Sequence, residues 1–338
     1  MATEPLLKGV EATEFLQAIT MLETLQQRRT DLAAGKTGRQ VTPVTAKRED
    51  ILELSLGAYK GWADKVEVGF MYAAKFLRKE CLTDLRELPY RTQVAPLAAV
   101  LTMLKERWLE PRIYEKLARW YWCGVLGELY GGAVETRIAN DVEELLSWIE
   151  KDGDAPRTVA DAAFNPDRLD RLSSRLSAAY KGLNLLVLRE GAKDFFWKAN
   201  IRELDDESVS LDIHHIFPQD WCRKQDIPRK RWNSIINKTP ISYKANRMIG
   251  GAAPSQYLQK LQKHRQVQLN DAGMDGILAS HLIPPETLRA DDFNSFYQTR
   301  RASLLTLIER VMGKQSLAMQ VSSDDTEDDD DDELLAAE

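Results

Sequence analysis

Ser208-Val209-Ser210-Leu211-Asp212-Ile213-His214-His215-Ile216-Phe217-Pro218 is the stretch on which the fold turns. From Ser208 to Ile213 polar and apolar residues alternate, the period of a half-buried strand. Two adjacent histidines close that strand, in a chain holding only four. Neighbouring strand side chains point to opposite faces, but at a strand end the backbone can turn and bring both imidazoles to one substrate. One histidine can then hold a cation while its neighbour moves a proton. Phosphodiester hydrolysis needs both services near neutral pH.

Downstream, a loop rich in Arg and Lys leads to a second strand candidate at Thr239 to Ser242, with a helical turn starting near Tyr243. Pro254 suits the first position of a further helix through Tyr257, Leu258 and Leu261. Two asparagines flank the second strand. Asn246 offers a neutral oxygen to a hard cation, and Asn237 can hydrogen-bond across the loop to hold the strands in register. Between residues 221 and 265 eleven Lys or Arg face a single acid, Asp226. A basic segment of that density suits a polyanion, and a solvated surface explains it equally well on charge alone.

Upstream, residues 1–200 read as helical almost throughout. Phe15, Ile19, Leu22 and Leu25 recur at helical spacing, as do Val94, Leu97, Leu101 and Leu104, and Val142, Leu145, Leu146 and Ile149. A further helical stripe runs from Asp167 to Arg189 through Leu169, Leu172, Leu176 and Leu183. Trp120, Tyr121 and Trp122, beside Leu117 and Leu126, read as core rather than as a base-stacking platform. Residues 284–314 return to helix. The fold class expected is mainly α with a small α+β insert: a helical domain (1–200), a small α+β domain around the histidine pair (201–265), C-terminal helices packing on either (266–314) and a disordered acidic tail (315–338).

Net charge is −6, yet ten of the 52 acids lie in residues 324–338, leaving 46 basic against 42 acidic side chains elsewhere. That tail could shield the basic segment or merely aid solubility. No stretch of eighteen apolar residues suggests a membrane span, and Met1 to Pro5 lacks the pattern of a signal peptide. Three scattered cysteines, Cys81, Cys123 and Cys222, fit reduced thiols, so a cytoplasmic location is expected. Cys222 has no second cysteine at zinc-knuckle spacing, and no phosphate-binding Gly-rich loop is present.

His214-His215-Ile216-Phe217-Pro218-Gln219, followed by Ser234-Ile235-Ile236-Asn237-Lys238 and Asn246-Arg247, resembles the HNH, or ββα-metal, nuclease motif. The similarity is greatest to the HNH portion of GmrSD-type restriction proteins. Ser255-Gln256-Tyr257-Leu258, His281-Leu282-Ile283-Pro284 and the stretch from Leu288 to Phe293 also look like that family. The resemblance implies a ββα-metal domain behind a helical one, acting as a DNA endonuclease in restriction or anti-phage defence. It implies His215 as general base, Asn237 completing the catalytic loop as its brace, and His214 and Asn246 as metal ligands. Asp212 stands as an alternative carboxylate ligand. Mg²⁺ is the cation expected, with Mn²⁺, Ni²⁺ or Zn²⁺ also compatible with imidazole. Arg223, Lys224, Arg229, Lys230 and Arg231, with Lys238, Lys244 and Arg247, are candidate DNA contacts. Family members usually begin with a nucleotide-hydrolysing domain marked by Asp-Gly-Gln-Gln-Arg. Here Gln26-Gln27-Arg28 lacks the Asp-Gly, so an NTP-hydrolysing sensor is expected on a partner subunit or further domain. One HNH site cuts one strand, which makes a homodimer a possible partner arrangement. The rival expectation is a non-catalytic DNA-binding or assembly subunit.

Overall fold

A computed structural model describes residues 4–204 and 211–317 of the chain. The acidic tail and Ser208 to Ser210 lie outside the described residues. Among the described residues the architecture is mainly helical with one two-stranded antiparallel sheet. It divides into two compact units: one of residues up to 163 with 308–314, the other of residues 164–307 with 315–317. No helix among the described residues is long and apolar enough to cross a membrane.

The first unit is built on α1 (Ala12–Ala33), α2 (Leu56–Lys79), α3 (Val94–Leu104), α4 (Pro111–Leu126) and α5 (Glu135–Lys151). α3 is apolar all round and buried on every side but Met103, and α1, α2 and α5 pack on it. Gly69 permits the α2–α3 approach, because a Cβ there would lie 2.5 Å from the Ala98 carbonyl oxygen. Trp120, Tyr121 and Trp122 are buried, as core residues are, and the Trp122 indole donates to the buried Glu80 carboxylate at 2.7 Å. The first unit is therefore a self-contained helical core.

The second unit carries α6 (Ala178–Arg189), β1 (Leu211–His215), β2 (Lys238–Ser242), α7 (Tyr243–Ile249), α8 (Pro254–Lys263), α9 (Asp271–Ser280) and α10 (Phe293–Met312, up to Leu307). β1 and β2 pair antiparallel, with His214 opposite Thr239 and His215 opposite Lys238. α7 packs on both strands, and the Ser242 hydroxyl caps it by accepting from the Ala245 amide at 3.2 Å. Pro254 occupies the first turn of α8.

Residues 164–200, which their helical pattern groups with the N-terminal part of the chain, lie in this second unit. The helix expected over 167–189 is also interrupted. A short helix, Arg168–Arg171, is followed by non-helical residues to Ser177, before α6 begins at Ala178, and Leu176 is exposed. Two forces break it. Ser174 accepts the Leu176 amide at its hydroxyl, and the Leu172 carbonyl turns away to accept the Ile235 amide at 2.7 Å. Residues 284–314 likewise split into Pro285–Arg289 and α10, with Asp291 at φ 53° between them.

All three cysteines are buried free thiols, and burial pushes Cys123 up to about 11 and Cys222 up to about 12. Neither is poised as a nucleophile at neutral pH.

His281 stitches β2 to the rest of its unit. It is fully buried, its Nδ1 accepts from the Thr239 hydroxyl at 2.7 Å, and its Nε2 donates to the Lys193 carbonyl at 2.8 Å. Burial pushes the imidazole down from 6.5 to about 4. The unfolded chain therefore takes up a proton near pH 6.5 that the folded chain refuses until about pH 4, so stability falls with acidification across that window. From linkage, His281 alone removes about 2 kcal/mol between pH 6.5 and roughly 4.5. Hydrogen exchange at the paired amides of β1 and β2 should report this loss, and His281→Gln should flatten the dependence. Equal protection at the two pH values would contradict it.

Candidate functional site

β1 ends at His215, and the chain then leaves the sheet under tight control. Ile216 donates its amide to the Asn237 carbonyl at 2.8 Å. The Asn237 side chain, fully buried, does the rest. Its amide nitrogen donates to the carbonyls of Phe217 and Trp232, each at 2.9 Å, and its Oδ1 accepts the Phe217 amide at 2.8 Å. Asn237 thus staples both sides of the loop and has no face left for substrate. It is a positioning residue.

A second staple comes from α10. Arg300 is buried with no carboxylate among its hydrogen-bonded partners. Its guanidinium donates to the carbonyls of Ile235, Ile236, Lys238 and His281. It therefore grips the backbone on either side of Asn237, and desolvation pushes it down to about 9. Sequence alone gave no sign of it, since an Arg within a helix usually reads as solvated surface.

His214 and His215 both line an open cleft of about 310 Å³, together with Pro218, Gln219, Asp220, Gly250 and Gly251. The two rings stand 6.3 Å apart at 76°. His215 lies edge-on to Trp232 at 5.5 Å, and its Nε2 is 3.3 Å from Asn233 Oδ1. With that oxygen as acceptor, Nε2 carries the hydrogen and Nδ1 keeps its lone pair. Burial foremost, then the Lys238 cation, push His215 down to about 4, against the Asn233 contact. The ring is neutral at pH 7 and can accept a proton.

Asn246 is half-buried on α7, one turn before Gly250, and is not itself among the residues lining the cleft. Asp212 pairs with Ile241 in the sheet, and its side chain lies outside the described part of the chain. Asp220 is the acid that sequence reasoning passed over. It sits in the first turn of the short helix Gln219–Lys224 and brings a carboxylate to the cleft wall. The signal was available: an acid two residues after Pro218, directly following the histidine motif. Gly251 leaves room beside it, because a Cβ there would lie 2.9 Å from Asp220 Oδ2. Among the described residues no group of three or more His, Cys, Asp or Glu side chains is placed to hold a metal unaided. An imidazole and a carboxylate on one cleft wall are nevertheless donors of the kind that a hard cation keeping several waters can use.

The eight candidate DNA contacts separate into two groups. Arg223, Lys224, Arg229, Lys230, Lys244 and Arg247 are exposed. Arg231 is engaged inside its unit, donating to Asn294 Oδ1 at 2.8 Å and covering the rings of Phe293 and Tyr297. Lys238 is buried, donating to the Ser173 carbonyl at 3.3 Å above the Tyr180 ring. Its charge adds to burial in pushing the His215 imidazole down.

No family model matches the chain. It is similar to an uncharacterized protein of Methanocaldococcus jannaschii, with 27% identity over 238 residues, covering 63% of this chain and 40% of that protein. The chain thus spans less than half the length of that relative.

The staple makes a direct prediction. Asn237→Ala strands three buried backbone groups and should cost the second unit about 3 kcal/mol. In the same variant the His215 titration, followed by NMR, should move up toward 6.5 as the loop loosens. A loss under about 1 kcal/mol with an unmoved His215 would contradict this assignment.

Proposed function

We propose that the chain is a metal-dependent endonuclease of the HNH, ββα-metal type, related to the nuclease portion of GmrSD-type restriction proteins, that hydrolyses DNA phosphodiester bonds. The observation that carries this reading is the adjacent His214–His215 pair at the end of β1, opening on a cleft beside a carboxylate. Behind it lies a strand–loop–strand–helix held by Asn237.

The chemistry follows from the residues. Neutral His215 accepts a proton at Nδ1 from a water poised on the phosphorus, while Asn233 orients the ring through Nε2. His214 and Asn246, with Asp220 or Asp212 as carboxylate, would hold a divalent cation, Mg²⁺ by preference and Mn²⁺, Ni²⁺ or Zn²⁺ as alternatives. When bound, that ion supplies the positive charge that stabilises the phosphate and the leaving 3′ oxygen. The exposed Arg223, Lys224, Arg229 and Lys230 bind backbone phosphates without reading sequence. Restriction of foreign DNA in the cytoplasm is the setting we infer. An NTP-hydrolysing sensor, on a partner chain or a further domain, would license the cut.

The test is nicking of supercoiled plasmid by the full chain with Mg²⁺ or Mn²⁺, with and without EDTA. We expect His215→Ala to lower the rate at least about a hundredfold, the scale of a lost general base, while DNA affinity and folding persist. Undiminished nicking by that variant would sink the mechanism.

A further inference from the structure

Two aromatic rings on the second unit are exposed, Trp197 at 37% and Tyr243 at 54%. Each is attended by a cation from α7. Lys244 Nζ stands 5.1 Å from the Trp197 ring and 4.4 Å from that of Phe196, and the Arg247 guanidinium stands 5.7 Å from the Tyr243 ring. Tyr243 and Arg247 are four residues apart, so they share one helix face.

The placement of these two rings is built. Asp194 is fully buried and divides its carboxylate between them. Oδ1 accepts the amides of Phe196 and Trp197, each at 2.9 Å, and Oδ2 accepts the Ser242 amide at 2.7 Å. Ser242 in turn caps α7. The turn bearing Trp197 and the helix start bearing Tyr243 are therefore tied through a single side chain. Lys198, next along that turn, adds donations to the Gln266 and Val267 carbonyls. A buried carboxylate satisfied by three backbone amides is a stiff connection, and it holds two apolar rings at the surface where burial would otherwise draw them in.

We propose that this face binds single-stranded DNA, with Trp197 and Tyr243 stacking on unpaired bases and Lys244 and Arg247 taking the adjoining phosphates. Stacking needs the faces of the bases, which a duplex hides and a single strand offers, and cations interleaved with aromatics are what such a strand requires. Duplex binding would use the cations and leave the rings idle. The inference deepens the nuclease reading and rests on it, because α7 also carries Asn246. It gives that site a preference for locally unpaired DNA beside the bond to be cut.

The experiment uses the full chain carrying His215→Ala in EDTA, so that binding is read without cleavage. The probes are a labelled thymidine oligonucleotide, a labelled duplex of mixed sequence and an RNA oligonucleotide. We expect Trp197→Ala and Tyr243→Ala each to weaken oligonucleotide binding about tenfold, the scale of one lost stack, and to leave duplex affinity within about twofold. Trp197→Phe should retain most of the affinity, and it and Tyr243→Ala should keep the parent melting temperature. Equal losses for oligonucleotide and duplex, no loss for either, or tighter binding to RNA would overturn the proposal. So would capture of an acidic peptide at this face in place of the oligonucleotide. Cleavage by the unmutated chain is scored separately. Trp197-dependent binding without any cation-dependent cutting removes the nuclease reading alone, and cutting with ring-independent binding removes this one alone.

Discussion

One amide side chain holds the candidate site in shape. Asn237 spans the loop between β1 and β2, spending its two donors and an acceptor on Phe217 and Trp232. Everything the site needs hangs on that span. Phe217 follows the histidine pair by two residues, Trp232 packs its ring edge-on to His215, and Asn233 orients the same imidazole. A shorter or charged side chain would leave buried carbonyls unanswered. Arg300 reinforces the staple by gripping the carbonyls on either side of it. The loop is thus fixed at both of its ends before any ligand arrives, which is how a site gains precise geometry without moving parts.

Charge is arranged to the same end. A buried guanidinium grips the carbonyls on either side of Asn237, and a buried lysine above Tyr180 lies close enough to His215 to help burial keep that imidazole neutral. The His215 imidazole thus stays neutral and free to take a proton, as the proposed mechanism requires. Asp220 contributes the one carboxylate described on the cleft wall. A site short of negative charge binds a cation weakly by itself, and a phosphate bringing its own charge completes the set. On the proposed nuclease reading, cation and substrate bind cooperatively.

Much of this could be read in advance, and what could not has physical reasons. The alternation before His214, the β-prone run at Thr239 and the helix start at Tyr243 are local signals, and the described parts of the strands and helix lie there. Pro254 and the aromatic run at Trp120 were legible for the same reason. The break between Leu172 and Ser177 was not, because it depends on a hydrogen bond to Ile235 some sixty residues away. Arg300, Asp194 and the burial of Lys238 are long-range facts of the same kind: each charged residue reads as surface until the partner that accepts it is placed. Asp220 is different. It stood beside the motif and needed only the helix after Pro218 to be turned toward the cleft.

In the proposed reaction, water activated at His215 breaks the phosphorus–oxygen bond on the 3′ side. Plasmid nicked by this chain in ¹⁸O-enriched water with Mg²⁺ tests it most directly, by mass spectrometry of the new ends. One ¹⁸O atom is expected in each terminal 5′-phosphate, with a free 3′ hydroxyl and no product in EDTA. Unlabelled phosphate ends, or a 3′-phosphate, would contradict it.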